Sequence, residues 1–97
     1  MKMDELIEKL LPSRNRLQAE LDVSTLSVFG STARGEAGPD SDVDFLVDFN
    51  HPPSFARFMD LKFLLEDTLG VRVDLVTRAA LRKSMAKNIE AEAARVA

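Results

Sequence analysis

The sequence predicts an α/β (α+β) fold, a small mixed sheet with helices packed on one of its faces. The first observation behind this prediction is the order of the segments: helix, strand, glycine-serine loop, strand, helix, strand, helix. The second is segment 43–49, where apolar residues recur at every second position, the period of a strand with a buried face. The third is segment 55–69, whose apolar residues recur at helical spacing up to Gly70. This long helix fits a crossover between its flanking strands, although the direction of each strand pair is left open.

The N-terminal segment predicts helical structure with one interruption. Helical spacing is shared by four apolar residues, Leu6, Ile7, Leu10 and Leu11. Pro12 interrupts the pattern, and Ser13 can cap a second helical stretch that runs through Leu17 and Leu21. Two short helices and one kinked helix fit this pattern equally well.

Two further strands and a final helix complete the predicted layout. Residues 26–29 and 71–76 are short runs rich in β-branched and other apolar residues, which favour strands. Ser54 is a good N-cap for the helix over 55–69, and Thr77 can cap the last helical region. The apolar positions of that last region are Leu81, Met85 and Ile89.

The composition is that of a small protein with a modest core. At 97 residues the length suits one domain, and we expect residues 1–97 to form it. The net charge of −3 argues against direct nucleic-acid binding, which depends on phosphate contacts. The absence of cysteine excludes disulfides and thiolate metal sites. No apolar run approaches the roughly 20 residues that cross a bilayer, and the acid-containing N-terminus does not resemble a signal peptide, so we expect a cytoplasmic protein with no membrane partner.

Three aspartates are candidate metal ligands. Asp42 and Asp44 stand two residues apart at the start of a predicted strand, so their side chains point to the same side, roughly 6.5–7 Å apart along the chain. Two carboxylates at this spacing repel each other unless a cation lies between them. Because the ligands are hard oxygens, the pair suits Mg²⁺ or Mn²⁺ better than zinc. Asp74, in the strand-like run VRVDLV, is expected on the same side of the sheet, and three carboxylates there can hold two divalent ions.

A glycine-serine turn precedes these acids. Gly30 follows a predicted strand and lets the backbone approach a ligand closely. Ser31 offers a hydroxyl and the exposed amides of a helix start, which suit a phosphate, and Arg34 lies one helical turn further on. The Gly-Pro-Asp-Ser turn at 38–41 then brings the chain round to the strand that begins near Asp42. A phosphate-binding turn followed by metal ligands predicts two-metal phosphoryl or nucleotidyl transfer.

These motifs resemble the signature of the DNA polymerase β-like nucleotidyltransferase superfamily. The matching residues are Gly30-Ser31, then after ten intervening residues Asp42-Val43-Asp44, and later Asp74 as the third acid. The size of the chain, and its layout from about Leu26 to the C-terminus, resemble the minimal nucleotidyltransferase (MNT) proteins of prokaryotes. The resemblance implies a small fold similar to the polymerase β palm.

The resemblance also implies a function. Members of the MNT group are often encoded beside a HEPN-domain protein and act as its antitoxin. The implied reaction is Mg²⁺-dependent transfer of AMP from ATP to a tyrosine hydroxyl of the HEPN toxin, which silences the toxin's RNase activity. Two Mg²⁺ ions, or Mn²⁺, would be the cofactors. The residues implied to carry this reaction are the catalytic metal ligands Asp42, Asp44 and Asp74, and the nucleotide-binding residues Gly30, Ser31 and Arg34.

Two other functions stay open at this point. The protein could be a binding module that neutralises its partner by covering it, with catalysis minor. It could also modify a small molecule such as an aminoglycoside, although enzymes of that kind generally carry an added acceptor-binding domain. Among the remaining polar residues, Asp48 is expected to be a solvated surface acid and His51 a structural or neutral loop residue. The basic run from Arg78 to Lys87 is interpreted as a solvated helix face, with a partner or triphosphate contact as the alternative.

Overall fold

The computed structural model describes residues 1–38, 41–81 and 83–97, and for residues 83–86 it describes the backbone only. The predicted turn residues Pro39 and Asp40, and the basic Arg82, lie outside the described residues. The strands are β1 (Val23–Phe29), β2 (Val43–Phe49), β3 (Val73–Thr77) and β4 (Ala94–Arg95). The helices are α1 (Met3–Leu10), α2 (Arg14–Ala19), α3 (Gly30–Ala33), α4 (Phe55–Leu69) and α5 (Lys83–Glu92), with short 3₁₀ turns at Leu11–Ser13 and Arg78–Ala80.

The four strands form one mixed sheet in the order β3-β2-β1-β4. Strand β1 pairs antiparallel with β2, and β2 pairs parallel with β3. The parallel pair is connected by α4, which confirms the predicted crossover. Strand β4 pairs antiparallel with β1 through Ser27 and Val28, and it was not predicted because two residues are too few to show a period.

Helices α1, α2 and α4 cover one face of the sheet and enclose the core. The alternation predicted for β2 holds, since Val43, Phe45 and Val47 are essentially inaccessible and lie in this core. From the helices, the fully buried partners are Leu6, Leu10, Leu17, Leu61 and Leu65. Each such side chain contributes about 1.5–3 kcal/mol relative to an exposed position. This apolar layer covers one face of the sheet, and the polar side chains of β2 project from the other face.

The connection between α1 and α2 decides between the two N-terminal alternatives. Pro12 lies in a 3₁₀ turn between two short helices. The prediction that Ser13 caps α2 is wrong, because its side chain makes no capping hydrogen bond. An N-cap needs extended backbone, whereas Ser13, at φ −96° and ψ −5°, continues the helical path out of the 3₁₀ turn. Leu11, the first residue of the 3₁₀ turn, is 52% exposed and does not join the core.

The predicted ends of α4 are confirmed. The Ser54 hydroxyl accepts a hydrogen bond from the backbone N–H of Arg57 at 3.1 Å, which satisfies one free amide of the first turn. Gly70 ends the helix with a left-handed φ of 68°. Thr77 also caps as predicted, although its hydroxyl accepts from the N–H of Ala80 in a 3₁₀ turn that precedes α5.

Helix α5 is placed apart from the other long helices. Its acidic side chains reach residues on the opposite side of the sheet from the core, since Glu90 pairs with Arg78, which also pairs with Asp48. Leu46 shares that side of β2 and is only 2% exposed, yet it stands outside the main core cluster. The helix layer predicted on one face therefore consists of α1, α2 and α4, and α5 is an addition on the acidic side. No helix in the described ranges combines the length and apolar character needed to span a membrane.

Candidate active site

The parallel pairing of β2 and β3 brings two of the predicted acids side by side. The register aligns Asp44 of β2 with Asp74 of β3. Asp42 immediately precedes β2 and lies two residues from Asp44, on the same side of the chain. Asp42 and Asp74 are exposed, whereas Asp44 is half-buried. The structure thus groups the three acids at the end of the sheet where β2 and β3 begin.

Partial burial and neighbouring negative charges together disfavour the ionised form of Asp44. Burial raises the pKa of the Asp44 carboxyl, the negative charges of Asp74 and Asp42 raise this pKa further, and the Arg34 guanidinium opposes the shift. Within residues 1–38, 41–81 and 83–97, no three acidic or histidine side chains lie close enough together to hold a metal ion as a group. Mutual repulsion of the carboxylates opposes such convergence. Carboxylate oxygens are the ligands that divalent cations such as Mg²⁺ prefer, so the chemistry of the three side chains fits such ions.

Gly30 packs directly against the central acid. Its φ is +72°, a left-handed conformation that other residues adopt only with strain. A Cβ atom at this position would lie 2.2 Å from Oδ2 of Asp44. Only glycine therefore allows the β1–α3 turn and the acid of β2 to occupy their observed places. Ser31 follows at the first turn of the short helix α3 and is half-buried.

The Arg34 guanidinium lies close enough to Asp44 to lower the pKa of that carboxyl, but its ion pairs are with two other acids. Its Nε donates to Glu36 at 3.0 Å and its Nη1 donates to Glu92 at 2.8 Å. The hydrogen bonds to Glu36 and Glu92 raise the pKa of Arg34. The other carboxylate oxygen of Glu92 accepts from the backbone N–H of Gly30 at 3.4 Å. Sequence reasoning missed Glu92, because it lies 58 residues from Arg34 in an ordinary helical context.

Two polar residues outside this group have structural roles. Asp48 lies at the surface, as predicted, but the sequence did not predict its partners, since its carboxylate accepts from Arg78 at 2.7 Å and from the hydroxyl of Thr25 at 3.3 Å. His51 is structural, as predicted, and its Nδ1 lies 3.0 Å from Oδ2 of Asp22. Asp22 has the unusual φ of 59°, and its contacts join the start of β1 to the end of β2. All of these contacts lie at the end of β2 away from Asp42 and Asp44.

Replacing Asp44 with asparagine is expected to change the pH dependence of stability. Because folding raises the pKa of Asp44 above its ordinary value of 3.8, the folded state binds this proton more tightly than the unfolded chain does. The stability that this proton contributes is fully present below the unfolded pKa and is lost as the pH rises through the folded pKa. Melting temperatures measured with EDTA from about pH 4 to about pH 8 should therefore diverge, with Asp44→Asn becoming the more stable protein. Parallel curves for the two proteins would contradict a penalty on the charged carboxyl.

The sequence of the chain matches the model of a known protein family. Residues 7–97 match the family model described as the nucleotidyltransferase domain, and the chain belongs to this family. Among curated relatives, it is 42% identical over 87 residues to the protein adenylyltransferase MntA of Thermococcus cleftensis, a match that covers 90% of this chain and 88% of the relative. A Methanocaldococcus jannaschii protein assigned as a protein adenylyltransferase is 34% identical over 79 residues, covering 81% of this chain and 92% of its own.

Solved structures agree with this assignment. A structure assigned as a minimal nucleotidyltransferase superposes with a TM-score of 0.84 at 35% identity, covering 97% of this chain and 95% of the other. The Shewanella oneidensis complex of a tri-AMPylated HEPN toxin with its MNT antitoxin matches in fold, with a TM-score of 0.69 at 15% identity over 97% of this chain and 71% of the other. The predicted resemblance to the minimal nucleotidyltransferases, and the predicted fold class, are confirmed.

Proposed function

We propose that this protein is a Mg²⁺-dependent adenylyltransferase that moves AMP from ATP to a tyrosine hydroxyl of a HEPN RNase toxin and so acts as its antitoxin. The observation that carries the proposal is the packing of Gly30 against Asp44, with Asp74 aligned beside Asp44 on the next strand. This contact places the β1–α3 turn, the proposed phosphate-binding segment, next to the proposed metal ligands. The name of the 42% identical relative, protein adenylyltransferase, supports the same reaction.

The reaction is a substitution at the α-phosphorus of ATP. The acceptor hydroxyl oxygen forms a bond to that phosphorus, the bond to the oxygen bridging the α- and β-phosphates breaks, and pyrophosphate leaves. The hydroxyl proton passes to solvent. Its products are an AMP-tyrosine diester and pyrophosphate, so the reaction needs no redox cofactor.

The residues of the chain supply binding and orientation for this step. We propose that Asp42 and Asp44 hold both metal ions, and that Asp74 completes the site nearest the acceptor hydroxyl. Divalent ions held by these carboxylates would neutralise charge on the triphosphate and lower the pKa of the attacking hydroxyl. The Gly30 amide, the Ser31 hydroxyl and the Arg34 guanidinium hold the phosphates, and the left-handed turn at Gly30 brings its amide next to the acids.

The exposure of two of the acids determines how an acceptor can reach the site. Asp42 and Asp74 are exposed, so an acceptor can approach them from outside the chain. A tyrosine on another protein satisfies this geometry. The fold neighbours include a toxin-antitoxin complex solved with AMP-PNP, at a TM-score of 0.71 and 18% identity over 100% of this chain and 73% of the other. These neighbours support a HEPN-domain protein as the partner, with residues 1–97 acting as one catalytic domain.

The test is direct transfer to the partner. The protein is mixed with a HEPN-domain protein from the same genome, Mg²⁺ and labelled ATP, and the modified residue is mapped by mass spectrometry. We expect the mass of AMP, in one or more copies, on a tyrosine of the partner and a matching loss of RNase activity. A partner that stays unlabelled, while a small acceptor such as an aminoglycoside becomes labelled, would contradict the proposal.

A further inference from the structure

A glutamate of α5 occupies the groups that the proposed function assigns to the nucleotide phosphates. Oε1 of Glu92 accepts from Nη1 of Arg34 at 2.8 Å, and Oε2 accepts from the Gly30 N–H at 3.4 Å. A carboxylate and a phosphate oxygen are the same kind of hydrogen-bond acceptor for an amide and a guanidinium. Glu92 therefore satisfies both donors in the way that an anionic ligand would.

The two anions exclude each other at this place. The Gly30 N–H is a single donor, so a phosphate oxygen that accepts from it displaces the carboxylate of Glu92. Like charges at hydrogen-bond distance of one guanidinium also repel. The ion pair between Arg34 and Glu92 has side chains 44% and 35% exposed, so it is partly open to solvent and can exchange partners.

Helix α5 is held over the acidic side of the sheet by a second ion pair that does not touch the site. Glu90, two residues before Glu92, pairs with Arg78, which in turn donates to Asp48 at 2.7 Å. This second contact fastens the same helix while leaving Gly30 and Arg34 untouched. A substitution of Glu90 therefore loosens α5 without removing the carboxylate of Glu92 from Gly30 and Arg34.

We propose that Glu92 is a built-in competitor for the triphosphate, which lowers the affinity for ATP by holding the Gly30 amide and Arg34 until the nucleotide displaces it. The proposal rests on the proposed nucleotidyltransfer function. A competitor and a residue that positions Arg34 have opposite effects on the affinity for ATP. A residue that aims Arg34 at the nucleotide would raise affinity, whereas a competitor reduces it by the fraction of molecules in which it holds the site.

The test compares Glu92→Gln with Glu90→Gln in the full chain. Initial rates of AMP transfer are measured against ATP concentration with the HEPN partner, and Mg²⁺-ATP binding is measured by calorimetry on the chain alone. We expect Glu92→Gln to lower KM and Kd for ATP roughly two- to fivefold at unchanged kcat, as suits an exposed pair. Glu90→Gln should leave both constants within experimental error of the wild type.

Each outcome bears on the proposal. An unchanged or raised KM in Glu92→Gln overturns it, and so does an equal fall in Glu90→Gln, which would assign the effect to loosening of α5. If Glu92→Gln folds poorly, Glu92→Asp keeps the charge but withdraws the carboxylate by one methylene, and the same fall in KM is expected. If the wild type transfers AMP and the Glu92 variants have the same KM and Kd for ATP as the wild type, the competitor role of Glu92 is refuted while the proposed function stands. Failure of all these proteins to bind ATP refutes the proposed function and the competitor together.

Discussion

Replacing both Asp42 and Asp44 with alanine is expected to reduce AMP transfer by about a thousandfold or more, a loss of roughly 4 kcal/mol of transition-state stabilisation. The reason is that these two carboxylates are the proposed ligands of both metal ions. In the double variant, Asp74 would be the one proposed metal ligand that remains, and it is exposed. Transfer is measured as labelled AMP on the partner protein under single-turnover conditions.

The stability of this double variant separates a catalytic effect from misfolding. The negative charges of Asp74 and Asp42 raise the pKa of Asp44, so the wild-type acids repel one another. Removing two of them should leave the melting temperature in EDTA unchanged or higher. Asp48→Asn is the matched control, because Asp48 lies on the same side of β2 but pairs with Arg78. It should retain transfer and lose up to about 1 kcal/mol of stability.

The same double variant also distinguishes catalysis from neutralisation by binding. If transfer is what silences the toxin, cells that carry the toxin and the double variant should not grow. A binding module would still protect them, because the substituted side chains lie in a small part of the surface. Undiminished AMP transfer by the double variant would contradict the assignment of the acids outright.

Much of the site could be predicted from the sequence because two short-range rules determine it. A period of two places Asp42 and Asp44 on one side of a strand, and it also predicted the bounds of β2 correctly. The length of α4 predicted a crossover between its flanking strands but left their direction open, and the structure shows that they are parallel and that Asp44 is aligned with Asp74. The cap at Ser54 and the left-handed Gly70 follow from local backbone chemistry in the same way.

Apart from the missing cap at Ser13, the features that the sequence did not predict depend on contacts between distant segments. Strand β4 has two residues and exists because it pairs with β1. The partners of Asp48 were not predicted, because it is the fold that brings Arg78 to it. Glu92 resembles any helical glutamate, and its contacts with Gly30 and Arg34 depend on where α5 crosses the sheet. Tertiary placement of this kind leaves no local pattern, because any exposed position of a helix can carry a charge.

Replacing Gly30 with alanine is expected to lower the rate of AMP transfer more than the same change at Gly35 or Gly70, the other glycines with a left-handed backbone. The new Cβ would lie 2.2 Å from Oδ2 of Asp44, far inside van der Waals contact, and the φ of +72° adds strain for any residue with a side chain. Either the turn or the carboxylate has to move. Since displacement of a catalytic group by about 1 Å can cost on the order of a hundredfold in rate, we expect at least that loss of transfer.

Gly35→Ala is the control that isolates the clash from the backbone strain. Gly35 has nearly the same φ, +74°, but a Cβ there would meet no atom within 4 Å. It should therefore lose only about 1–2 kcal/mol of stability from the left-handed conformation and keep its transfer rate. Denaturant unfolding and transfer rates measured on both variants give the comparison. If Gly30→Ala transferred AMP as fast as Gly35→Ala, the fit between the turn and Asp44 would not matter for the reaction, and the observation that carries the proposed function would lose its force.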